Sequence, residues 1–296
     1  MPASVLGEDG NPLGPALSLG QIRLERPEQT PSLVSFALPG DAALRQCGAL
    51  GLWEMTTDRA LAAPGDLVAL RWVWEALAAP GEALYVTLSL RDEAGALVRR
   101  WNFPPAAAWW STELWQPGDR WVGRPQVRLP GSLESGEYQL VLTVPGCAEA
   151  LASVSLTVQS PVRLWAMSDD FMRLDTTFGE KVRLAGYRIE EDVLAAGDTL
   201  SLHLAWQALV EIDASYWVFV HVVGADGRLL GQSDGEPSGW TRPTTGWAVD
   251  EVVLDERDIP IPQMAVPGRY EVRVGLYDPE GARLLTPDGQ DGVVVG

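Results

Sequence analysis

The chain contains one pattern twice, and the two copies are displaced by a constant 132 residues. The first copy runs from Pro64 to Val144 and the second from Ala196 to Leu276. The register holds without a gap, so apolar core positions of the first copy have apolar counterparts in the second. Solenoid and propeller units are only about 20–50 residues long. The spacing therefore predicts duplication of a whole domain.

Within each copy, apolar residues alternate with the period of two that is expected of half-buried strands. The first copy has this alternation at Val68, Leu70, Trp72 and Trp74, and the second at Leu200, Leu202, Leu204 and Trp206. The 30 glycines and 22 prolines are spread between these runs as turn residues. Asp226-Gly227 is a hairpin signal. We therefore predict an all-β protein of two tandem antiparallel β-sandwiches, immunoglobulin-like or jelly-roll-like.

The domain boundary is expected near residues 159–166, where Pro161 interrupts the strand pattern. This divides the repeats into residues 26–160 and 161–296. Residues 1–25 include a predicted strand, Leu19–Leu24, which resembles Leu151–Val158 at the end of the first repeat. It is either the tail of a preceding unit or the first strand of the first domain, and both alternatives stay open.

Composition excludes some classes of partner. The chain has 40 acidic and 22 basic residues, for a formal net charge of −18. An anionic surface repels phosphate backbones, so we expect no nucleic acid partner. No apolar run reaches the roughly 18–20 residues of a membrane span. We expect no signal peptide at Met1–Ser4, because a basic segment followed by an apolar one is missing.

The two cysteines, Cys47 and Cys147, lie at opposite ends of the first repeat. The first and last strands of a sandwich are often neighbours, so a disulfide is one interpretation in an oxidising compartment. Two free buried thiols are the other, and the sequence leaves both open.

No motif predicts a catalytic residue or a metal site. His203 alternates with core leucines, and His221 lies in a strand that is apolar on both faces. Zinc needs three or four ligands, which two isolated histidines do not supply. Residues 231–235 match Gly-x-Ser-x-Gly, but a nucleophile elbow requires a helix after the serine. The residues that follow, 236–239, are typical of a turn.

Carboxylates give only weak signals. Asp234 and Glu236 have a spacing that calcium ligands use. A polar turn explains these two residues better, and calcium binding stays the alternative. A glycosidase needs two facing carboxylates, which sequence spacing does not locate. The acidic residues between Asp250 and Asp258 are interpreted as a solvated edge.

The 13 tryptophans are the strongest indication of a binding site. Trp115 and Trp247 occupy equivalent positions in the two copies, which favours a structural role. Trp109, Trp110 and Trp240 lie in loops and have no tryptophan counterpart. Exposed aromatic rings stack on the apolar faces of sugars. The candidate ligand-binding residues are therefore these three tryptophans together with two polar residues found in only one copy: Trp109, Trp110, Trp240, His221 and Asp234.

The second copy also carries a series of motifs that resembles a known family. In order, they are Leu184-Ala185-Gly186-Tyr187, Ala196-Gly197-Asp198, Tyr216-Trp217-Val218-Phe219-Val220-His221, Gln232-Ser233-Asp234-Gly235, Thr244-Thr245-Gly246-Trp247 and Pro267-Gly268-Arg269-Tyr270. This series resembles the extracytoplasmic β-sandwich domain that follows the membrane-spanning part of Chloroflexota family-39-type glycosyltransferase-like proteins. The resemblance covers about residues 165–290, and reaches residues 48–144 only through the repeat. In the first copy Ser89 replaces His221, and residues 100–103 depart from the motif at 232–235.

The resemblance implies an accessory region outside the membrane, with any transferase chemistry in another part of such a protein. We therefore predict a non-catalytic accessory or interaction region, extracytoplasmic, whose partner is a glycan or a cell-envelope protein. The alternative is a carbohydrate-binding module that uses the loop tryptophans. A glycoside-active enzyme is a third interpretation.

Overall fold

A computed structural model describes residues 5–6, 12–14, 31–38 and 42–296. The chain divides into two units, Met1–Ala37 and Leu38–Gly296. In the first unit, strands β1 (Val5–Leu6) and β2 (Pro12–Gly14) pair antiparallel, and Leu33–Phe36 forms a 3-10 turn. The strand expected at Leu19–Leu24 lies outside the described residues. Among the described residues, no helix is long and apolar enough to cross a membrane.

The second unit contains four sheets and almost no helix, which confirms the prediction of an all-β sandwich fold. Two sheets face each other across one core to form what we call the first sandwich. Their strand orders are β10-β6-β4-β3, with β9 also on β6, and β5-β12-β11-β7-β8. All pairs are antiparallel except β5 with β12. The strands are β3 (Arg45–Cys47), β4 (Leu50–Thr57), β5 (Leu61–Ala62), β6 (Leu67–Ala76), β7 (Val86–Arg91), β8 (Leu97–Phe103), β9 (Arg120–Gly123), β10 (Gln126–Arg128), β11 (Gly136–Thr143) and β12 (Ala152–Val158).

The other two sheets form the second sandwich, with strand orders β13-β14-β15-β18 and β17-β16-β19-β20. Its strands are β13 (Met172–Phe178), β14 (Val182–Ile189), β15 (Thr199–Ala208), β16 (Trp217–Gly224), β17 (Leu229–Gly235), β18 (Val252–Pro260), β19 (Tyr270–Tyr277) and β20 (Val293–Val295). Strands β14, β15 and β17 begin and end 132 residues after β4, β6 and β8. Strands β6 and β15 also have the same pattern of burial, position by position. Descent of the two sandwiches from a duplication stays a prediction.

Equivalent tryptophans fill the cores of the two sandwiches. Trp74 and Trp206 lie on the central strands, and Trp115 and Trp247 close one end; all four are at most 1% exposed. Fully burying side chains of this size contributes several kcal/mol each to folding, at about 25 cal/mol per Å². The expected structural role of Trp115 and Trp247 agrees with this burial.

The structure pairs Cys47, at the end of β3, with Cys147, which follows β11. Their Cα atoms are 6.1 Å apart, within the range of about 4.4–6.8 Å that disulfides adopt. Because β3 and β11 belong to different sheets, the bond joins the two layers of the first sandwich.

A buried ionic cluster joins the two sandwiches. Arg163 donates to the carbonyl oxygens of Gly131 and Leu133, at 2.6 and 3.1 Å, in the first sandwich. It also pairs with Glu251 of the second sandwich, which in turn accepts a hydrogen bond from Arg242. The Glu251 side chain is 0% exposed, and three donors, Arg163, Arg242 and the backbone N–H of Ala248, compensate its burial, as a buried charge requires. The prediction that this acidic run is a solvated edge is therefore wrong for Glu251.

Close backbone contact at this junction gives a first prediction. A Cβ on Gly131 would lie 2.4 Å from the carbonyl oxygen of Trp247, so Gly131→Ala should force the sandwiches apart and cost about 1–3 kcal/mol. Trypsin should then cleave the segment at residues 159–163 faster than in the wild type. Gly136→Ala is the control, since its nearest atom is 4.0 Å away in Tyr138. Equal cleavage rates for the two variants would contradict a tight junction.

Candidate functional site

The outer face of sheet β17-β16-β19-β20 carries a row of aromatic rings. In β16, Val218, Val220 and Val222 point into the core. Because neighbouring residues of a strand point to opposite faces, Trp217, Phe219 and His221 lie on the outer face. Across the sheet, Trp217 is paired with Tyr277, Phe219 with Asp234 and Gly275, and His221 with Gln232 and Arg273.

Trp240, from the loop after β17, completes the row. We call Trp240, Trp217, Tyr277, Phe219 and His221 the aromatic face. Successive ring centroids along it are 5.0, 5.8, 6.4 and 4.8 Å apart, within the range of favourable ring contacts. Trp240 is 58% exposed and Phe219 only 3%, so the face is open at its tryptophan end.

Phe219 is buried because glycines lie beneath its ring and an arginine lies above it. A Cβ on Gly275 would be 2.4 Å from the ring, and one on Gly292 would be 3.0 Å away. The guanidinium carbon of Arg283 is 3.8 Å from the Phe219 centroid and 5.2 Å from that of Tyr277. This is cation–π geometry, and it places a positive group in the middle of the aromatic face.

Polar groups surround the rings. His221 Nε2 lies 3.5 Å from Asp234 Oδ1, and Arg273 Nη2 lies 3.3 Å from Asp291 Oδ1. Burial raises the pKa of the Tyr277 phenol, and the negative charge of Asp234 raises it further, while Arg283 opposes the rise. Tyr277 is therefore an uncharged hydroxyl at neutral pH, able both to donate and to accept a hydrogen bond.

The turn that presents Trp240 has an unusual backbone. Ser238, Gly239 and Trp240 all have left-handed conformations, with φ of 54°, 60° and 70°. Each non-glycine residue in this region costs about 1–2 kcal/mol. The Trp240 ring lies against Gly235, where a Cβ would approach to 2.7 Å. Strain of this kind persists only where surrounding contacts hold it.

A buried ion pair holds this turn. Asp255 and Arg257 of β18 are 1% and 6% exposed, and their side chains bond each other at 2.9 and 3.0 Å. Asp255 accepts the backbone N–H of Ser238 at 2.7 Å, and Arg257 donates to the carbonyl oxygens of Gly235 and Glu236. Burial raises the pKa of Asp255, and the charge of Arg257 opposes the rise.

This pair was missed from the sequence, because Asp255 was included in a run interpreted as solvated. The available signal was the alternation along β18, which places Asp255 and Arg257 on the same side as buried Val253. A carboxylate and a guanidinium two residues apart on an inward strand face are a buried pair.

The first sandwich has no aromatic face at the equivalent positions. On the outer face of its β7 sheet, Tyr85, Thr87 and Ser89 replace Trp217, Phe219 and His221. Thr87 Oγ1 lies 2.9 Å from the Asn102 side chain, where the second sandwich has Asp234 opposite Phe219. The aromatic face therefore distinguishes the second sandwich from the first and is not a requirement of the fold.

The structure places the five predicted residues in two groups. Trp240, His221 and Asp234 come together on the outer face of the second sandwich. Trp109 and Trp110 lie in the first sandwich, in the loop between β8 and β9, with ring centroids 6.2 Å apart. Trp110 packs against Trp121 and the core, whereas Trp109 is 80% exposed. Trp109 is thus the exposed residue of a cluster that is otherwise structural.

The geometry does not provide the chemistry of the hydrolase-like motif. Ser233 lies in the middle of β17, opposite Val220, so it faces away from His221 and Asp234. In the described part of the chain, no three or more His, Cys, Asp or Glu side chains are grouped to hold a metal. Glu236 accepts a hydrogen bond from Ser215 Oγ at 2.5 Å. The arrangement offers rings and hydrogen-bonding groups to a ligand.

Comparison with known proteins does not assign the chain to a family. No family model and no curated protein matches the chain. Among solved structures, the DNA glycosylase AlkC of Pseudomonas fluorescens, bound to DNA, is 17% identical to this chain, with a TM-score of 0.29. The match covers 38% of this chain and 30% of the AlkC chain. The C-terminal domain of wzt is 10% identical over 44% of this chain and 84% of its own length, with a TM-score of 0.30. Similarities at this level support no argument about function.

Proposed function

We propose that this protein is a non-catalytic binding protein whose ligand is a carbohydrate held on the aromatic face. The observation that carries the proposal is the row of ring contacts from Trp240 to His221 on one outer sheet face, which is open at its tryptophan end. The apolar side of a pyranose ring presents C–H groups that pack on aromatic rings. Ligand sites combine such apolar surface with a few placed polar groups.

The polar groups around the rings suit sugar hydroxyls. Asp234 accepts hydrogen bonds, Arg273 donates them, and Gln232 and Tyr277 do both. All four lie on the outer face, within one strand position of an aromatic ring. A glycosidase needs two carboxylates on opposite sides of the scissile bond. Asp234 lies opposite Phe219, and the nearby carboxylate of Asp291 pairs with Arg273, which supports binding without hydrolysis.

The test is a glycan panel followed by titration of the best ligand. Trp240→Ala should weaken binding at least tenfold, about 1.4 kcal/mol, because it removes the most exposed ring of the face. Trp109→Ala is the matched control, being a loop tryptophan of comparable exposure in the first sandwich, and should bind as the wild type does. Silence across the panel would overturn the proposal, and loss of binding in Trp109→Ala alone would move the site to the first sandwich.

We also propose an extracytoplasmic location, as an accessory part of a membrane-associated protein. The Cys47–Cys147 disulfide supports this, because disulfides persist mainly in oxidising compartments. Alkylation of thiols in source cells, before lysis and without reductant, should leave both cysteines unmodified. Modification of either one in the cell would contradict this location.

A further inference from the structure

The outer face of sheet β13-β14-β15-β18 differs from its counterpart in the first sandwich at a β-bulge. Strands β4 and β14 are each interrupted at the same place, β4 at Trp53 and β14 at Ala185, 132 residues later. A bulge re-aims a side chain, and bulges are frequent next to functional sites. The two sandwiches therefore carry an indole ring and a methyl group at equivalent positions.

In the first sandwich the Trp53 ring belongs to a compact polar cluster. Trp53 Nε1 donates a hydrogen bond to Glu75 Oε2 at 2.7 Å, and Arg120 Nε donates to the same oxygen at 2.8 Å. The guanidinium carbon of Arg120 lies 5.9 Å from the centroid of the Trp53 ring. The side chains of Glu75 and Arg120 are only 14% and 17% exposed. The chain itself therefore fills this position with a ring, a carboxylate and a guanidinium.

In the second sandwich the equivalent position is a cavity of about 430 Å³, which is within the size range of small-molecule sites. The three residues of the first cluster are replaced here by Ala185, Gln207 and Val252, and all three line the cavity. We call it the bulge cavity. It lacks the indole ring, and a neutral amide takes the place of the Glu75 carboxylate.

The segment before β13 forms one wall of the bulge cavity. Val252 N–H donates to the carbonyl oxygen of Leu164 at 2.8 Å, and Met167 packs on Gly186, where a Cβ would lie 2.6 Å from the sulfur. Between these two contacts, Trp165 lines the cavity and is 58% exposed. A ring whose segment is held on both sides can stack on a flat ligand at a low cost in ordering.

Arg183 of β14 supplies a positive group to the bulge cavity. Its Nε lies 3.0 Å from Asp175 Oδ1, and its Nη1 donates to Gln207 Oε1 at 3.3 Å. The Asp175 side chain is 81% exposed, so water screens this ion pair and it contributes little energy. The two contacts orient the guanidinium and leave its Nη2 group available to a ligand. With Arg173, the lining residues carry two guanidinium groups against one carboxylate.

We propose that the bulge cavity binds a small aromatic carboxylate. The ligand ring would take the place that the Trp53 ring has in the first sandwich, next to Trp165. Its carboxylate would accept hydrogen bonds from Arg183, since guanidinium and carboxylate groups match in geometry and form strong charge-assisted bonds. The bulge cavity and the aromatic face lie on different sheets of the second sandwich, so this proposal does not depend on carbohydrate binding.

The probe is indole-3-acetate, which combines the ring of Trp53 with a carboxylate. Its neutral amide, indole-3-acetamide, is the matched ligand. Calorimetric titration of the full chain should show saturable binding of the acid and at least tenfold weaker binding of the amide, because the amide lacks the charge that pairs with Arg183. Absence of saturable binding of the acid, or equal affinities for the two ligands, would overturn the proposal.

Ala185→Trp fills the bulge cavity with the side chain that the first sandwich has at this position. Because β4 accommodates Trp53 at the equivalent bulge, the variant should fold, as measured by thermal unfolding. Its affinity for indole-3-acetate should be at least tenfold lower than that of the wild type. An unchanged affinity in the folded variant would show that the ligand binds elsewhere and would overturn the proposal.

Arg183→Gln removes the positive group and keeps the space for the ring. Affinity for the acid should fall at least tenfold, while affinity for the amide should stay that of the wild type. Arg228→Gln is the control, because it removes the same charge from a side chain that is 90% exposed, in the hairpin between β16 and β17. Equal losses in the two variants would reveal a general effect of net charge and overturn the proposal. If Ala185→Trp does not fold, this comparison decides.

Discussion

Replacing Cys47 and Cys147 by alanine should lower the free energy of unfolding of the first sandwich by about 2–5 kcal/mol. The disulfide closes a loop with a sequence separation of 100 residues. In the chain-entropy model a loop of this length restricts the unfolded chain by about 4.7 kcal/mol. Typical domains are stable by only about 5–15 kcal/mol, so this loss should be a large fraction of the stability of the first sandwich.

Urea unfolding with and without dithiothreitol measures this effect. Reductant should shift the wild-type midpoint to that of the double alanine variant and should leave the variant itself unchanged. The second sandwich contains no cysteine, so any transition that belongs to it should not move. Identical wild-type midpoints in both conditions would contradict a stabilising disulfide.

The sequence predicted the inward side of strands such as β6 and β15, and it did so for a physical reason. Where one face of a strand is buried and the other is wet, the period of two is visible, as in Leu200, Leu202 and Leu204. The 132-residue register then related strand positions of one sandwich to those of the other. The core tryptophans Trp74 and Trp206 were assigned in this way.

The aromatic face was only partly predictable. Residues 217–223 are apolar on both sides of β16, so the period of two does not show which side is outward. Trp217, Phe219 and Tyr277 were therefore not recognised as site residues. Gly275 gives the missing signal in retrospect, because a glycine opposite a phenylalanine provides room for the ring to lie on the sheet. His221 and Asp234 were chosen as candidates because they lack counterparts in the first copy.

Charge alone also misled the interpretation of β18. An acidic run is usually solvated, but Glu251 and Asp255 are 0% and 1% exposed. Each is compensated by arginine, and the partners of Glu251 precede it by 88 residues (Arg163) and nine residues (Arg242). Only the three-dimensional structure brings these partners together, so composition along the chain could not show the pairing.

Replacing Arg257 by methionine should destabilise the second sandwich by about 3–5 kcal/mol, because it leaves the Asp255 carboxylate buried without its partner. The loss should depend on pH. Burial already raises the pKa of Asp255, and removing the guanidinium raises it further above the unfolded value. Below its unfolded pKa such a carboxyl group is protonated in both states and does not change the free energy of unfolding. As the pH rises from the unfolded pKa towards the raised folded pKa, the group lowers the free energy of unfolding. The variant should therefore lose less stability near pH 4 than at pH 7, as measured by urea unfolding at both.

The double variant Asp255→Leu/Arg257→Met tests whether the ion pair positions Trp240 as well as stabilising the second sandwich. Replacing both members of a buried pair by apolar residues is often neutral or stabilising, so most of the lost stability should return, without dependence on pH. The Ser238 N–H and the carbonyl oxygens of Gly235 and Glu236 would still lack their partners. The left-handed turn should then relax, Trp240 should leave the aromatic face, and glycan affinity should be at least tenfold lower than that of the wild type. Full recovery of binding in the double variant would show that the ion pair stabilises the sandwich without positioning Trp240.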